Sequence, residues 1–82
     1  MTQRDIMVGK TYRHFSGNYF RVICIAVDST SQDNKEVVVY ETLGNKHIIY
    51  TRPVELFNEK VDHEKYKDVL QTYKFEPIEE YN

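Results

Sequence analysis

Few side chains among these 82 residues are of types that do chemistry: three histidines (His14, His47, His63), one cysteine (Cys24), and an arginine, Arg52, set directly before a proline. A zinc site needs three or four Cys/His ligands at close, paired spacing, and the histidines and Cys24 offer no such pairing. Cysteine catalysis needs an accessible thiol beside a base. Cys24 instead lies inside the apolar run "YFRVICIAV" and reads as a small buried hydrophobe. Glu55 and Glu59, or Asp62 and Glu64, are paired in spacing only, in a segment whose acids read as a solvated face. Gly9, Gly17 and Gly44 stand singly, so no glycine-rich phosphate loop exists. The sequence therefore predicts no metal, no cofactor and no catalytic machinery. An enzyme using His14 as a base remains an alternative that lacks a visible nucleophile.

Binding chemistry is better represented. The stretch "TYRHFSGNYFRVICIA" crowds aromatics, a histidine and two arginines around Gly17-Asn18, and glycine at the first central position suits a two-residue hairpin loop. With that loop, Phe15 opposes Phe20, His14 opposes Arg21, Arg13 opposes Val22 and Tyr12 opposes Ile23. Strand alternation then gives two faces. One carries Phe15, Phe20, Val22, Cys24 and Ala26 toward a core, and the other carries Tyr12, His14, Tyr19, Arg21, Ile23 and Ile25. The second face fits two readings. Its rings and cations could stack on a planar group and bond its edge, or Tyr12 and Tyr19 could close the other side of a barrel core around a hydrogen-bonded His14. Arg52 likewise reads either as an ion-pair anchor for the turn after Pro53 or as a group that recognises an anion.

These side chains need elements to position them. From Thr11 to Thr51 the apolar residues are mostly β-branched or aromatic and fall in short runs broken by turn chemistry, which predicts strands. The first hairpin pairs 12–16 with 19–27. "EVVVYETL" and "HIIYT" flank Gly44-Asn45-Lys46 and predict a second hairpin. Pro53 disfavours helix before it and suits the first position of a helical turn, so "PVELF" predicts one turn with Val54 and Phe57 inward. A short helix or irregular arm is expected over 62–71 and a last strand in "TYKFEPI". The sum is a mainly β domain of five strands, a strongly bent antiparallel sheet or partly open barrel. Its core is predicted from Phe15, Phe20, Val22, Cys24, Val38, Phe57 and Phe75.

Eleven Lys+Arg against thirteen Asp+Glu leave a net charge of −2, which argues against a generic charge-driven nucleic-acid binder. The balance is uneven: residues 1–21 hold four basic residues (Arg4, Lys10, Arg13, Arg21) and one acid, Asp5. A lone cysteine in so small a chain points to a reducing compartment, the cytoplasm by default. No run approaches the roughly 20 apolar residues that span a bilayer, so neither export nor a membrane role is expected.

Taken in order, "YRHFSGNYFRVICIAVDS", "VVVYETL", "IIYTRPVELFNEKV" and "YKFEPI" resemble the small bacterial family named domain of unknown function 1653, over residues 9–77. The chain departs from the family pattern with Tyr50-Thr51 where tryptophan-valine is common and Ser16 where lysine is common. The resemblance implies a small SH3-like β-barrel and no activity. It carries over Tyr12, Arg13, His14, Phe15, Gly17, Tyr19, Tyr40, Arg52, Pro53 and Phe57. Of these, Phe15, Gly17, Pro53 and Phe57 fit structural roles and Tyr12, His14, Tyr40 and Arg52 functional ones. The expected function is a non-enzymatic binding module whose surface comprises Tyr12, His14, Tyr19, Arg21, Tyr40, Tyr50 and Arg52. A peptide or protein partner is expected first, and a single-stranded nucleic acid or nucleotide is the alternative.

Overall fold

The computed structural model describes residues 4–79. They form one five-stranded antiparallel sheet in the order β4-β3-β2-β1-β5, with β1 at Thr11–His14, β2 at Tyr19–Val27, β3 at Glu36–Thr42, β4 at Ile49–Pro53 and β5 at Phe75–Pro77. A four-residue helix, α1 (Val54–Phe57), lies between β4 and β5. The sheet is not closed into a barrel: β4 pairs with β3, β5 pairs with β1, and each is an edge. The segment 62–71 is an irregular arm of turns. No helix among the described residues is long and apolar enough to cross a membrane.

The first hairpin departs from the expected register. Thr11 lies opposite Arg21, Tyr12 opposite Phe20 and Arg13 opposite Tyr19. The connection is a three-residue loop over residues 15–17, closed by His14 N–H donating to the Asn18 carbonyl at 2.8 Å and Gly17 N–H donating to the His14 carbonyl at 2.8 Å. Gly17 takes φ +107°, the left-handed conformation that ends a three-residue hairpin loop and that glycine adopts without a Cβ clash. Against a two-residue loop this moves the pairing by an odd number of residues, which exchanges the faces. Tyr12 and His14 therefore share a face with Phe20 and Val22, while Phe15 sits half-buried in the turn.

A second irregularity acts on β2. A β-bulge between Val22 and Cys24 adds one residue, so Cys24 pairs with Val39 and Ile25 with Val38. Val22 and Ile25 both turn inward, and Cys24, expected in the core, is exposed. The core comprises Tyr12, Val22, Val38, Tyr40, Phe57 and Phe75, with Ile6, Phe20, Ile25 and Val54 packed against it. Phe57 reaches the sheet because Pro53, φ −52° and ψ 142°, ends β4 and starts α1 as its N-cap. Proline is tolerated in β4 because the strand is an edge. Thr42 N–H donates to the Ile48 carbonyl at 2.9 Å, and antiparallel alternation then assigns the ladder bonds to Tyr50 and Arg52 and turns the N–H and C=O of Ile49 and Thr51 outward. The N–H that Pro53 lacks would likewise face away from β3.

Candidate functional site

The inner face of the sheet is covered in part and leaves Tyr50 exposed. Phe75, 1% exposed, is its centre. Phe57 stacks on Phe75 with ring centroids 4.3 Å apart and a 12° interplanar angle. Around the same ring stand His14 at 4.8 Å, Phe20 at 5.8 Å and Tyr40 at 5.6 Å, all edge-on. The Arg52 guanidinium carbon lies 4.9 Å from the Phe75 centroid. Tyr50, opposite Tyr40 on the neighbouring strand, has its ring 5.6 Å from Tyr40 and 6.4 Å from Phe20, and it is 42% exposed.

Five of the seven expected surface residues thus lie on one face, at two depths. Tyr40, 3% exposed, and Tyr12, 1% exposed, are members of the core. The Tyr12 ring meets Phe57 edge-on at 5.2 Å and its hydroxyl accepts from Met7 N–H at 3.0 Å. That bond ties the ring to the N-terminal segment, and with its 1% exposure Tyr12 belongs to the scaffold. His14, Tyr50 and Arg52 remain accessible. Tyr19 and Arg21 face the other side, on the odd-shifted register already described, beside Arg13 and Glu41.

Arg52 is not the ion-pair anchor that was one of its two readings. Ion pairs among the described residues join Lys35 to Glu55, His47 to Glu41 and Lys74 to Glu59, and none includes Arg52. Its Nε–H donates to the Tyr40 hydroxyl at 3.2 Å. Since that phenol oxygen is accepting, its own proton is left to donate.

His14 has a fixed tautomer. Ser16 N–H donates to Nδ1 at 3.2 Å and the Ser16 hydroxyl lies 2.7 Å from the same atom. Nδ1 must accept, so the neutral ring carries its proton on Nε2. Partial burial, then the charges of Arg52 and Lys74, push the His14 pKa below its ordinary value. The Ser16 hydroxyl is a nucleophile-type group that spacing alone did not reveal, but its contact spans one turn. No carboxylate among the described residues bonds Nε2 to orient the ring as a base.

Phe75 lies in the core as the sequence predicts, but its place at the centre of this face was not read there, and neither was Lys74 as a second cation near His14. Lys74 directly precedes a strand of three residues, too short for alternation to announce which way it points. Among the described residues no group of His, Cys, Asp or Glu could hold a metal ion.

No curated protein and no solved structure matches this chain. A family model does match it, over residues 10–77 of the 82, and the chain belongs to the family described as protein of unknown function (DUF1653).

Proposed function

We propose that this chain is a non-enzymatic binding module of the cytoplasm that receives an extended peptide segment of a protein partner along β4. The observation that carries the reading is a free edge strand with accessible recognition groups on it. Ile49 and Thr51 turn backbone donors and acceptors outward, and Tyr50 and Arg52, which has no ion-pair partner among the described residues, stand on the same strand. An added strand gains affinity from main-chain hydrogen bonds and specificity from side chains on alternate positions. The half-exposed Tyr50 ring backed by Tyr40 and Phe20 would take an apolar or planar side chain.

The meander of four strands, one helical turn and a last strand returning beside β1 supports an SH3-like description of the fold. The exposed thiol of Cys24 agrees with a reducing compartment. A nucleic-acid reading has less support, because Arg4, Arg13 and Arg21 do not gather on the face that carries Arg52. Arg4 is bound to the Phe75 carbonyl, Arg13 to the Gln71 side chain, and Arg21 faces away from Arg52.

Selection of displayed random peptides on the parent protein and on Thr51→Pro tests this reading. Proline at 51 removes an outward N–H without removing a β3–β4 bond, so peptides enriched on the parent should lose at least about tenfold in affinity on the variant. Tyr50→Ala should act in the same direction. Failure to enrich any peptide, equal binding by Thr51→Pro, or tight oligonucleotide binding that falls steeply with salt would each overturn it.

A further inference from the structure

Three hydrogen-bond donors stand on the inner face around the Phe75 ring, with no acceptor bonded to them among the described residues. The Arg52 guanidinium spends Nε–H on the Tyr40 hydroxyl and no carboxylate neutralises it among the described residues. The Tyr40 proton is left over by that same bond. His14 accepts Ser16 N–H at Nδ1, which leaves the proton of the neutral ring on Nε2. Arg52 and His14 both rest against the Phe75 ring, at 4.9 and 4.8 Å from its centroid, so the guanidinium and the imidazole stand around one core ring.

From this arrangement we infer that the site reads a carboxylate on the bound peptide, clamped by the Arg52 guanidinium with the His14 Nε2–H and the Tyr40 hydroxyl as supporting donors. The inference rests on the peptide-binding reading and names what that peptide must carry. A carboxylate suits the donor set better than a phosphate dianion. Of the two cations near His14, only Arg52 lacks a carboxylate partner among the described residues, because Lys74 Nζ lies 2.8 Å from Glu59, and burial and the charges of Arg52 and Lys74 hold the His14 pKa below its ordinary value. One formal charge meets one formal charge, and guanidinium–carboxylate geometry allows two parallel bonds. The rings beneath exclude water from one side and raise the worth of those bonds.

The groups facing His14 are Arg52 from β4, Lys74 preceding β5 and neutral Ser16 from the hairpin loop. A bound carboxylate would offset the two cations. By reciprocity, the anion should raise the titration midpoint of His14, and protonating His14 should tighten the anion.

The probes are N-acetylglycine, which carries a chain-terminal carboxylate, and N-acetylglutamate N-methylamide, which carries a side-chain carboxylate alone. N-acetylglutamine N-methylamide is the uncharged control, and inorganic phosphate is the competing anion. Each is titrated into the full chain while the Arg52 Nε–H and His14 ring resonances are followed by NMR. The inference expects both signals to move with a carboxylate probe and not with the glutamine control, and the His14 midpoint to rise under saturation. Response to only one carboxylate probe assigns the source as chain end or side chain. Arg52→Gln should abolish the response and Arg52→Lys should weaken it about tenfold, because lysine lacks the planar fork; dispersed amide spectra of both variants confirm that they fold. An equal response to the control, tighter phosphate binding, or an unaltered response in Arg52→Gln overturns the inference. If selected peptides bind the parent without a carboxylate, this inference falls alone. If no peptide binds, the peptide reading falls with it.

Discussion

His14 is in contact with a core ring and a turn serine and feels the charges of two cationic side chains, and that combination makes it the pH-sensitive residue of the site. Its folded pKa lies below the ordinary value of an exposed imidazole, so the unfolded chain takes up a proton first as the solution is acidified. Stability from this residue is complete above about pH 6.5 and is lost as pH falls from there through the lower folded value. Thermal melts between pH 7.5 and 5 should fall less for His14→Gln than for the parent; an identical slope would remove His14 from the account. Tyr12 calls for a different experiment. Buried at 1% exposure with its hydroxyl accepting from Met7 N–H, it should cost about 3–5 kcal/mol when cut to alanine, and Phe57→Ala should cost a similar amount. Tyr12→Phe removes one bond and should cost about 1 kcal/mol in a urea melt. At this scale the types at His14 and Arg52 were readable in the sequence, together with the ligand-type chemistry they offer. The depth of Tyr12 and Tyr40 was not, because tyrosine serves equally as core ring and as surface ring, and its neighbours decide which.

The elements were legible where a residue type forces the backbone. Pro53 ended β4 and started α1, and the β-branched run of β2 gave a strand with both ends at the expected residues, Tyr19–Val27. What escaped were two one-step choices of register. Gly17 suits either a two-residue or a three-residue loop, and the difference of parity moved Tyr12 inward and parted Tyr19 and Arg21 from His14. The bulge at β2 similarly took Cys24 out of the core and brought Ile25 in. Neither choice is fixed locally: each is decided by which alternative buries more apolar surface against α1 and β5. The hairpin loop still depends on Gly17. An added Cβ there would meet nothing within 4 Å, so the penalty is conformational alone at φ +107°. Gly17→Val should cost about 1–3 kcal/mol, and Gly17→Asn less, since asparagine tolerates the left-handed region better. Equal losses in the two variants would mean that something other than φ sets the cost.

For the molecule as a whole, an open sheet leaves its inner face to be covered from outside, and the chain does this with α1 and with Ile6 in the segment before β1. Arg4 ties these together. Its Nη2 donates to the Phe75 carbonyl at 2.8 Å, its Nε to the Asn58 side chain at 3.2 Å, and its guanidinium lies 3.8 Å from the Tyr73 ring centroid, while Asn58 Nδ2 returns a bond to the Arg4 carbonyl at 3.1 Å. One cation thus joins the start of the described chain to the C-terminal end of α1 and to β5, which carries the ring at the centre of the candidate site. Each bond is part-exposed and modest singly, but all three depend on one planar group. Arg4→Ala should therefore cost about 1–3 kcal/mol, and Arg4→Lys should recover only part of that because lysine cannot fork between Asn58 and the carbonyl. The more telling measurement is hydrogen exchange. If Arg4 keeps β5 seated, the amide of Phe15, which donates to the Lys74 carbonyl, and that of Lys74, which donates to the Glu59 carbonyl, should exchange faster in Arg4→Ala while those of β3 follow only the global loss. Uniform acceleration across all five strands would mean that Arg4 adds stability without holding the cover in place, and that the site around Phe75 is organised by the rings alone.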